Sequence, residues 1–571
     1  MKKFEKNNSA GLIWFGLTVG GFIQKKKLDN AAKNCAKTEE ETLRSLLEYA
    51  KDSVWGKEHH FDEILKAKSA EELYQRWQEN VKTAEYETFA PYIERHKNGE
   101  ENILFPGKPK MYATTSGTTK EPKWIPITER YYSDVYSKMT KVWLYTLVHH
   151  RRLSFAGRGF SVVGKAIECY APDGTPCGSI SGISQRDCPE FVKKMYTAPG
   201  EIFTIPDYKA RNYSLMRLGL DQNVSVVITA NPSTMLELQK IVDEYYDDIV
   251  SDIENGTLSD KFNISPEIRN VLKDWYKPNP KRAAELKELK KMANGGQVLP
   301  KDYWPHLQIL NTWHCGNTKV YTEKFRGWFP EHMLHQEFSY YSSECRFGVV
   351  IDEGDDTVLF PHMHYYEFVE ESEIGSENPH FLQTSQLEVG KRYTLYVTTA
   401  AGLYRYNMND LIKVTGKYGT IPTVQFVQKL NGIISMTGEK LSEQQFMAAV
   451  EDAEKATGLK TRFYVGFADL EESMYKFYYD FENSNVTQER CNAFTEEVDK
   501  SLKAQNEEYL AKRDSFRVKP PAGSILIENA FDAFKSEMLK RGSRDGQFKM
   551  NLLMQDEKRH EIFKTLLKNA R

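Results

Sequence analysis

From Tyr112 onward, short apolar runs end in Gly-, Ser- or Thr-rich turns and alternate with amphipathic helical stretches, as at Ser161-Val-Val-Gly164 and Val224 to Ala230. Short runs of this kind suit buried strands, and their alternation with helical periodicity predicts an α/β fold built in layers. A single core does not grow economically over 571 residues, so a second domain is expected. Before Tyr112, residues 28–100 read as a helical scaffold, with apolar positions at three- and four-residue spacing in Glu39 to Lys51 and Ala70 to Val81. Asn231-Pro232 after the Val226-Val-Ile-Thr229 run predicts a helix start, and residues 255–300, rich in Lys and Glu, a solvated helical excursion. The strand-rich text from Val349 to Lys429 predicts a β-barrel-like sheet. After Asn431 come strands at Phe463 to Phe467 and Tyr475 to Phe481, one long helix from Gln488 to about Lys512, and a β-then-α tail. The expected division is a large N-terminal domain, residues 1–430, and a smaller α+β C-terminal domain, 431–571, on a hinge at Lys429 to Gly432.

The 77 basic and 80 acidic residues are interleaved, giving a formal charge of -3 and no basic face for nucleic acid. Seven scattered cysteines without a C-x-x-C pair fit a reducing compartment, so a cytoplasmic protein is expected. The apolar stretch Ala10 to Ile23 follows basic residues as a signal peptide would. It is shorter than the ~20 residues that span a bilayer, and lysines follow where small cleavage-site residues belong. It is read as a helix packed on the body, with attachment to a membrane surface as the alternative, and no membrane partner is expected.

Three segments carry chemistry. The first is Thr114-Thr-Ser-Gly-Thr-Thr-Lys-Glu-Pro-Lys123, reached from a strand at Lys110 to Ala113. Glycine admits close approach of a ligand to the backbone, hydroxyls and amides donate to phosphate oxygens, and lysine adds a mobile positive charge. It lacks the Walker G-x-x-x-x-G-K-[ST] spacing, and its bland alternative is an ordinary Ser/Thr turn. The second is Tyr340-Tyr-Ser-Ser-Glu344, downstream of the turn Cys315-Gly-Asn-Thr318. A ring can stack on adenine and a carboxylate can hold Mg²⁺ through oxygen, whereas a buried Tyr pair with a surface Glu would do neither. The third comprises Gly402-Leu-Tyr-Arg-Tyr-Asn-Met-Asn-Asp410, Gln425-Phe-Val-Gln-Lys-Leu-Asn431, Gly438-Glu-Lys440 and Glu443. An Asp at a turn after a strand can accept both hydroxyls of a ribose.

In this order and at these distances the segments resemble the adenylate-forming superfamily that includes acyl-CoA synthetases and luciferase. More narrowly, the chain resembles the auxin-responsive acyl-acid amido synthetases, which conjugate jasmonate, indole-acetate or benzoates to amino acids in plants and have bacterial relatives. The narrower resemblance rests on Trp55-Gly-Lys-Glu-His59, Pro91-Tyr-Ile-Glu-Arg95, Thr229-Ala-Asn-Pro-Ser-Thr234, the Tyr-x-Ser-Ser-Glu block, Gly402-Leu-Tyr-Arg-Tyr406 and Gln547-Phe-Lys549, and covers about residues 50 to 555. It implies that Thr115, Ser116, Gly117, Thr118 and Thr119, with Lys123, grip ATP phosphates. Gly316 and Tyr340 would enclose adenine, Ser343 would join the nucleotide set, Glu344 would bind Mg²⁺ and serve catalysis, and Asp410 would take the ribose. Lys440 would lie by the hinge, and Lys549 would neutralise charge at the α-phosphate. Three positions depart from the family pattern: Asn409 stands for Gly, Lys429 for Arg and Asn551 for Pro. Asn is the best replacement where positive φ is required.

The acid pocket in such relatives draws on the helix after the phosphate loop, here Glu129 to His150, in which Val135, Tyr136, Met139, Val142, Trp143 and Thr146 recur at helical spacing and read mostly as core. Arg158, Gly164 and Ser181 lie in segments that can also face it. The implied activity is ATP-dependent adenylation of a carboxylic acid and acyl transfer to an amino acid, with release of AMP and pyrophosphate. The alternatives are a thioester-forming acyl-CoA ligase, against which the Gln-Phe-Lys ending speaks, and a nucleotide-binding module without catalysis.

Overall fold

The computed structural model describes residues 10–114, 123–315, 319–430, 433–434, 436, 439, 441–469, 471–514, 518–541, 548 and 550–568. Two compact units divide the chain, residues 1–408 with 412–427 and residues 409–411 with 428–571.

In the first unit the helices Cys35–Ala50, Ala70–Asn80 and Tyr86–Lys97 form the expected scaffold. Asn34 and Ser69 start the first two by accepting the N–H of Lys37 and Glu72. The apolar N-terminal stretch is the helix Ala10–Ala31, which lies on the helix Ser137–His150. The two approach so closely at Gly21 that a Cβ there would meet Tyr145 Cβ at 2.3 Å.

The strands Met111–Thr114 (β1), Trp124–Ile127 (β2), Arg158–Val162 (β3), Cys169–Tyr170 (β4), Pro176–Gly178 (β5), Val224–Thr229 (β6), Ile309–Thr312 (β7) and Leu334–Glu337 (β8) build two sheets. One, ordered β2-β1-β5-β4, carries the β1–β2 hairpin; the other, β3-β6-β7-β8, is parallel throughout. Helices cross over between its successive strands, as parallel pairing requires. The helix after β6 starts at Ser233 with Pro232 as its cap, one residue later than Asn231-Pro232 suggests. The Lys- and Glu-rich excursion is helical, as expected, but not solvated throughout: Leu258, Ile264, Leu272, Ala283 and Leu286 are buried in the core of the helices that flank the parallel sheet. Its charged residues cover the outer faces of short helices whose apolar positions are few but inward.

A seven-stranded sheet follows, from Gly348–Val350 (β9), Thr357–Leu359 (β10), Tyr365–Glu370 (β11), Leu382–Gln383 (β12), Arg392–Thr398 (β13), Tyr406–Tyr418 (β14) and Ile421–Lys429 (β15). Its order, β12-β11-β13-β14-β15-β10-β9, leaves it open at β12 and β9, so the expected barrel is not formed. Helices supply the cover that closure would have given. Trp77 donates to Glu367 Oε2 at 3.0 Å, and Phe61, Leu73 and Trp77 share one core with Tyr365, Phe368 and Leu395.

The second unit holds Ile433–Ile434 (β16), Leu441–Ser442 (β17), Thr461–Asp469 (β18), Met474–Phe481 (β19), Lys519–Ile525 (β20) and Leu553–Met554 (β21). A four-stranded sheet, β20-β19-β18-β21, packs on the helices Glu443–Thr457 and Gln488–Gln505. The long helix expected from Gln488 to about Lys512 is broken at Asn506, whose φ of -140° and ψ of 102° are extended; a second helix, Glu507–Asp514, follows.

Candidate active site

The β1–β2 hairpin sets the ends of the hydroxyl-rich loop. Thr114 pairs with Trp124 in antiparallel register, so the two ends of the loop are held side by side. Thr115, Ser116, Gly117, Thr118 and Thr119 lie outside the described residues, as do Gly316, Lys440 and Lys549. At the loop's base Thr114 Oγ1 donates to Glu168 Oε2 at 3.3 Å, and Lys123 Nζ sits 5.3 Å over the ring of Tyr86. The Tyr86 hydroxyl also accepts the Trp124 N–H at 2.9 Å. Tyr86 opens the helix Tyr86–Lys97, so a residue of the helical scaffold props the loop. Sequence reasoning passed over it, because it lies in a segment read as scaffold and apart from every motif.

The Tyr340–Glu344 block folds into a tight return. Tyr341 bridges Arg346, the N–H of Ser342 donates to Cys345 O at 2.9 Å, and the N–H of Phe347 donates to Tyr340 O at 3.2 Å. Ser343 and Glu344 therefore stand at its tip, half-buried, while Cys345, Arg346 and Phe347 turn into the core. The Tyr340 ring stacks on Phe347 with centroids 4.0 Å apart and lies 6.0 Å from Phe426 of β15. One face of that ring is thus covered by the protein.

Asp410 stands inside strand β14 and not at the expected turn after a strand. The residue before it, Asn409, has φ of 51°, the left-handed conformation that glycine or asparagine adopts most readily. The strand therefore continues through a local kink, and Asp410 is buried, with 2 % exposure.

Several of these parts converge. Burial raises the Tyr406 hydroxyl above its usual range, and among nearby charges that of Glu344 contributes most, with Tyr86 also contributing. Tyr406 begins β14 and lies against the helix of the Tyr86 that supports Lys123, its ring centroid 6.0 Å from that of Phe89. The preceding residue, Arg405, has φ of 44° and is structural: its Nε donates to buried Glu367 at 2.9 Å and its Nη1 to Val81 O at 2.8 Å. Glu337, at the end of β8, accepts the N–H groups of His314 and Cys315 at 2.8 and 3.1 Å and so fixes the chain entering residue 316.

Helical periodicity predicted Glu129 to His150 as one helix, but a π-helical turn, Tyr131–Tyr136, precedes the α-helix Ser137–His150. Such turns insert a residue and re-aim side chains, often at functional sites. Met139, Val142 and Thr146 are core, as expected. Gly164 lies against Ser179, whose hydroxyl shares a 2.7 Å hydrogen bond with that of Ser181. Arg158 lies at the opposite end of β3, at its start.

In the second unit the segments that carry the two candidate lysines are held by buried neighbours. Glu439 is fully buried, its Oε1 accepting from Tyr475 Oη at 2.6 Å and from the Met436 N–H at 2.7 Å. Asn506, the residue that breaks the long helix, donates to Glu439 O at 2.9 Å. Phe548 packs on Phe531 and Phe534, and Glu443 accepts the Leu553 N–H at 3.3 Å.

The architecture is shared with acyl acid amido synthetases: the solved structure titled GH3.15 acyl acid amido synthetase superposes with a TM-score of 0.80 at 20 % identity, over 95 % of each chain. Residues 24–334 match the GH3 family N-terminal domain, 357–429 the GH3 family central domain and 444–558 the GH3 family C-terminal domain, and the chain belongs to that family. It is 23 % identical over 518 residues to the 4-substituted benzoates-glutamate ligase GH3.12 of Arabidopsis thaliana, covering 86 % of this chain and 89 % of that protein. It is 25 % identical over 451 residues to the jasmonoyl–L-amino acid synthetase JAR4 of Nicotiana attenuata, covering 73 % and 76 %.

Proposed function

We propose that the chain is an ATP-dependent acid–amino acid ligase that adenylates a carboxylic acid and transfers the acyl group to the amine of an amino acid, releasing pyrophosphate and then AMP. The observation that carries the reading is membership of this family across all three of its domains, in a chain that holds Lys123 over Tyr86 at the base of the hairpin loop and Glu344 half-buried at the tip of its return. A hydroxyl-rich loop and a lysine suit a triphosphate, and the half-buried Glu344 carboxylate suits Mg²⁺, a hard cation with oxygen ligands.

The acid's carboxylate attacks the α-phosphorus of ATP, and the amine then attacks the resulting mixed anhydride. The residues of this chain act by position and charge, and no covalent nucleophile is required. Residues 115–119 and Lys123 hold the phosphates, Glu344 holds Mg²⁺, Tyr340, Ser343 and residue Gly316 frame the adenine, and Asp410 accepts the ribose hydroxyls. Lys440 and Lys549 belong to residues 431–571, a domain that rotates about Lys429 to Gly432 between the half-reactions, and Lys549 neutralises the α-phosphate in the adenylating arrangement. Among the described residues no helix is long and apolar enough to cross a membrane, and a cytoplasmic site of action is part of the proposal, supported by cysteines that are scattered and free.

The test is exchange of labelled pyrophosphate into ATP across a panel of acids, followed by product analysis with pooled amino acids or with CoA. Exchange that needs both acid and Mg²⁺, followed by an amide product, is expected. Absence of exchange from folded protein contradicts adenylation, and a CoA thioester without amide assigns the chain to the thioester-forming alternative.

A further inference from the structure

Among the described residues Arg346 is a buried cation without an acidic partner. Its exposure is 5 %, no carboxylate among the described residues pairs with it, and its guanidinium makes one side-chain hydrogen bond, from Nη1 to Thr140 Oγ1 at 2.8 Å. The rings of Tyr136, Trp143 and Tyr341 surround it at 5.8, 5.3 and 6.0 Å from their centroids. Cation–π contacts offset part of the cost of burying the charge, but they leave most of the five N–H donors without acceptors. A methionine would fill such a cage without that cost.

The cage lies where three parts of the site meet. Arg346 is two residues beyond Glu344 on the same return, Tyr136 ends the π-helical turn with its ring centroid 6.4 Å from that of Tyr341, and its hydroxyl lies near that of Ser184 of the helix Ile180–Asp187. A cluster of polar tips around an uncompensated guanidinium, walled by aromatic rings, is complementary to a planar anion that accepts several N–H bonds.

Resting on the adenylating activity proposed above, we propose that Arg346, with the Tyr136, Tyr341 and Ser184 hydroxyls, binds a second carboxylate of the acid substrate, so that the preferred substrates are dicarboxylic acids activated at the carboxylate distant from Arg346. The guanidinium is then a specificity-determining group that touches the substrate but not the reacting atoms.

Acid-dependent pyrophosphate exchange measured with matched pairs, benzoate against terephthalate and hexanoate against adipate, tests this. The wild-type protein is expected to favour the diacid of at least one pair by tenfold or more in kcat/KM, as a charged hydrogen bond allows. Arg346→Met is expected to abolish that preference through a rise in KM for the diacid, with kcat/KM for the monoacid kept or raised. Tyr341→Phe, which keeps the ring and removes the hydroxyl, is expected to reduce the preference in part, and it serves as the test if Arg346→Met does not fold. An equal loss for both members of a pair assigns Arg346 to structure alone and overturns the proposal, as does a wild-type preference for monoacids. Absence of exchange with every acid, from folded protein, would instead refute adenylation, so the two failures are distinguishable.

Discussion

At the scale of single residues, exposure separates the groups expected to act from those that hold them. Glu344 is half-buried at the tip of a turn, and among the described residues no hydrogen bond or ion pair holds its carboxylate. Glu344→Gln is therefore expected to lower Mg²⁺-dependent exchange by at least 100-fold while changing stability by no more than about 0.5 kcal/mol. A melting temperature lowered by many degrees would make it a structural residue. Glu367 is its opposite: fully buried, it accepts hydrogen bonds from Trp77 and Arg405, and removing Arg405 would strand its charge. His96 shows how burial fixes a protonation state. Its Nε2 accepts the Leu104 N–H at 3.1 Å, so the ring is neutral with its proton on Nδ1, which donates to Glu100 O at 3.0 Å. Burial pushes its pKa down to about 4 against the raising effect of that carbonyl. The folded pKa lies below the unfolded value of about 6.5, so its contribution is whole above that value and is lost as pH falls toward 4. Urea midpoints of the wild-type protein should fall more steeply across this window than those of His96→Gln, whose amide can make both bonds without titrating. The expected difference approaches about 1.4 kcal/mol per pH unit, and parallel curves would contradict the assignment.

Elements are interrupted where a polar residue has a task outside its own helix or strand. Strand β14 carries Asn409 at φ of 51°, and the kink presents Asp410 from within the sheet. Asn409→Gly should leave nucleotide affinity and stability nearly unchanged. Asn409→Val, with a branched Cβ in the left-handed region, should cost about 1–2 kcal/mol of stability and weaken ATP binding in calorimetry. Equal behaviour of the two variants would mean the conformation is not required. The break at Asn506 has the same logic: its amide donates to Glu439 O, its Oδ1 accepts the Tyr509 N–H at 2.9 Å, and a continuous helix would forfeit both. Helical periodicity ran through Asn506 because the partner that rewards the break is 67 residues away in sequence. The expected barrel fails for a related reason, since strand-rich text predicts a sheet but does not say whether it closes or is covered by helices.

Across the whole molecule, the family's three domains span nearly all of both compact units, and the two lysines proposed for catalysis fall in the second. If Lys549 steadies the α-phosphate only during adenylation, Lys549→Ala should slow formation of the acyl adenylate severalfold or more yet leave a supplied acyl adenylate reacting with the amine at the wild-type rate. Equal slowing of both steps, measured by single-turnover assays, would make the lysine part of one static site or a support of the tail around Phe548. The sequence by itself determined what depends on neighbours in the chain: the alternation of strands and helices, the buried faces, the hydroxyl-rich loop between two strands, and the Tyr-x-Ser-Ser-Glu and late lysine segments. Tertiary structure alone decided what depends on distant residues: Tyr86 under Lys123, Arg346 in its aromatic cage, Asn506 on Glu439, and helices in place of barrel closure. Periodicity and motif spacing encode a side chain's direction along its own element. Which charge or ring it meets there is set by packing between segments tens to hundreds of residues apart, and that packing leaves no local pattern.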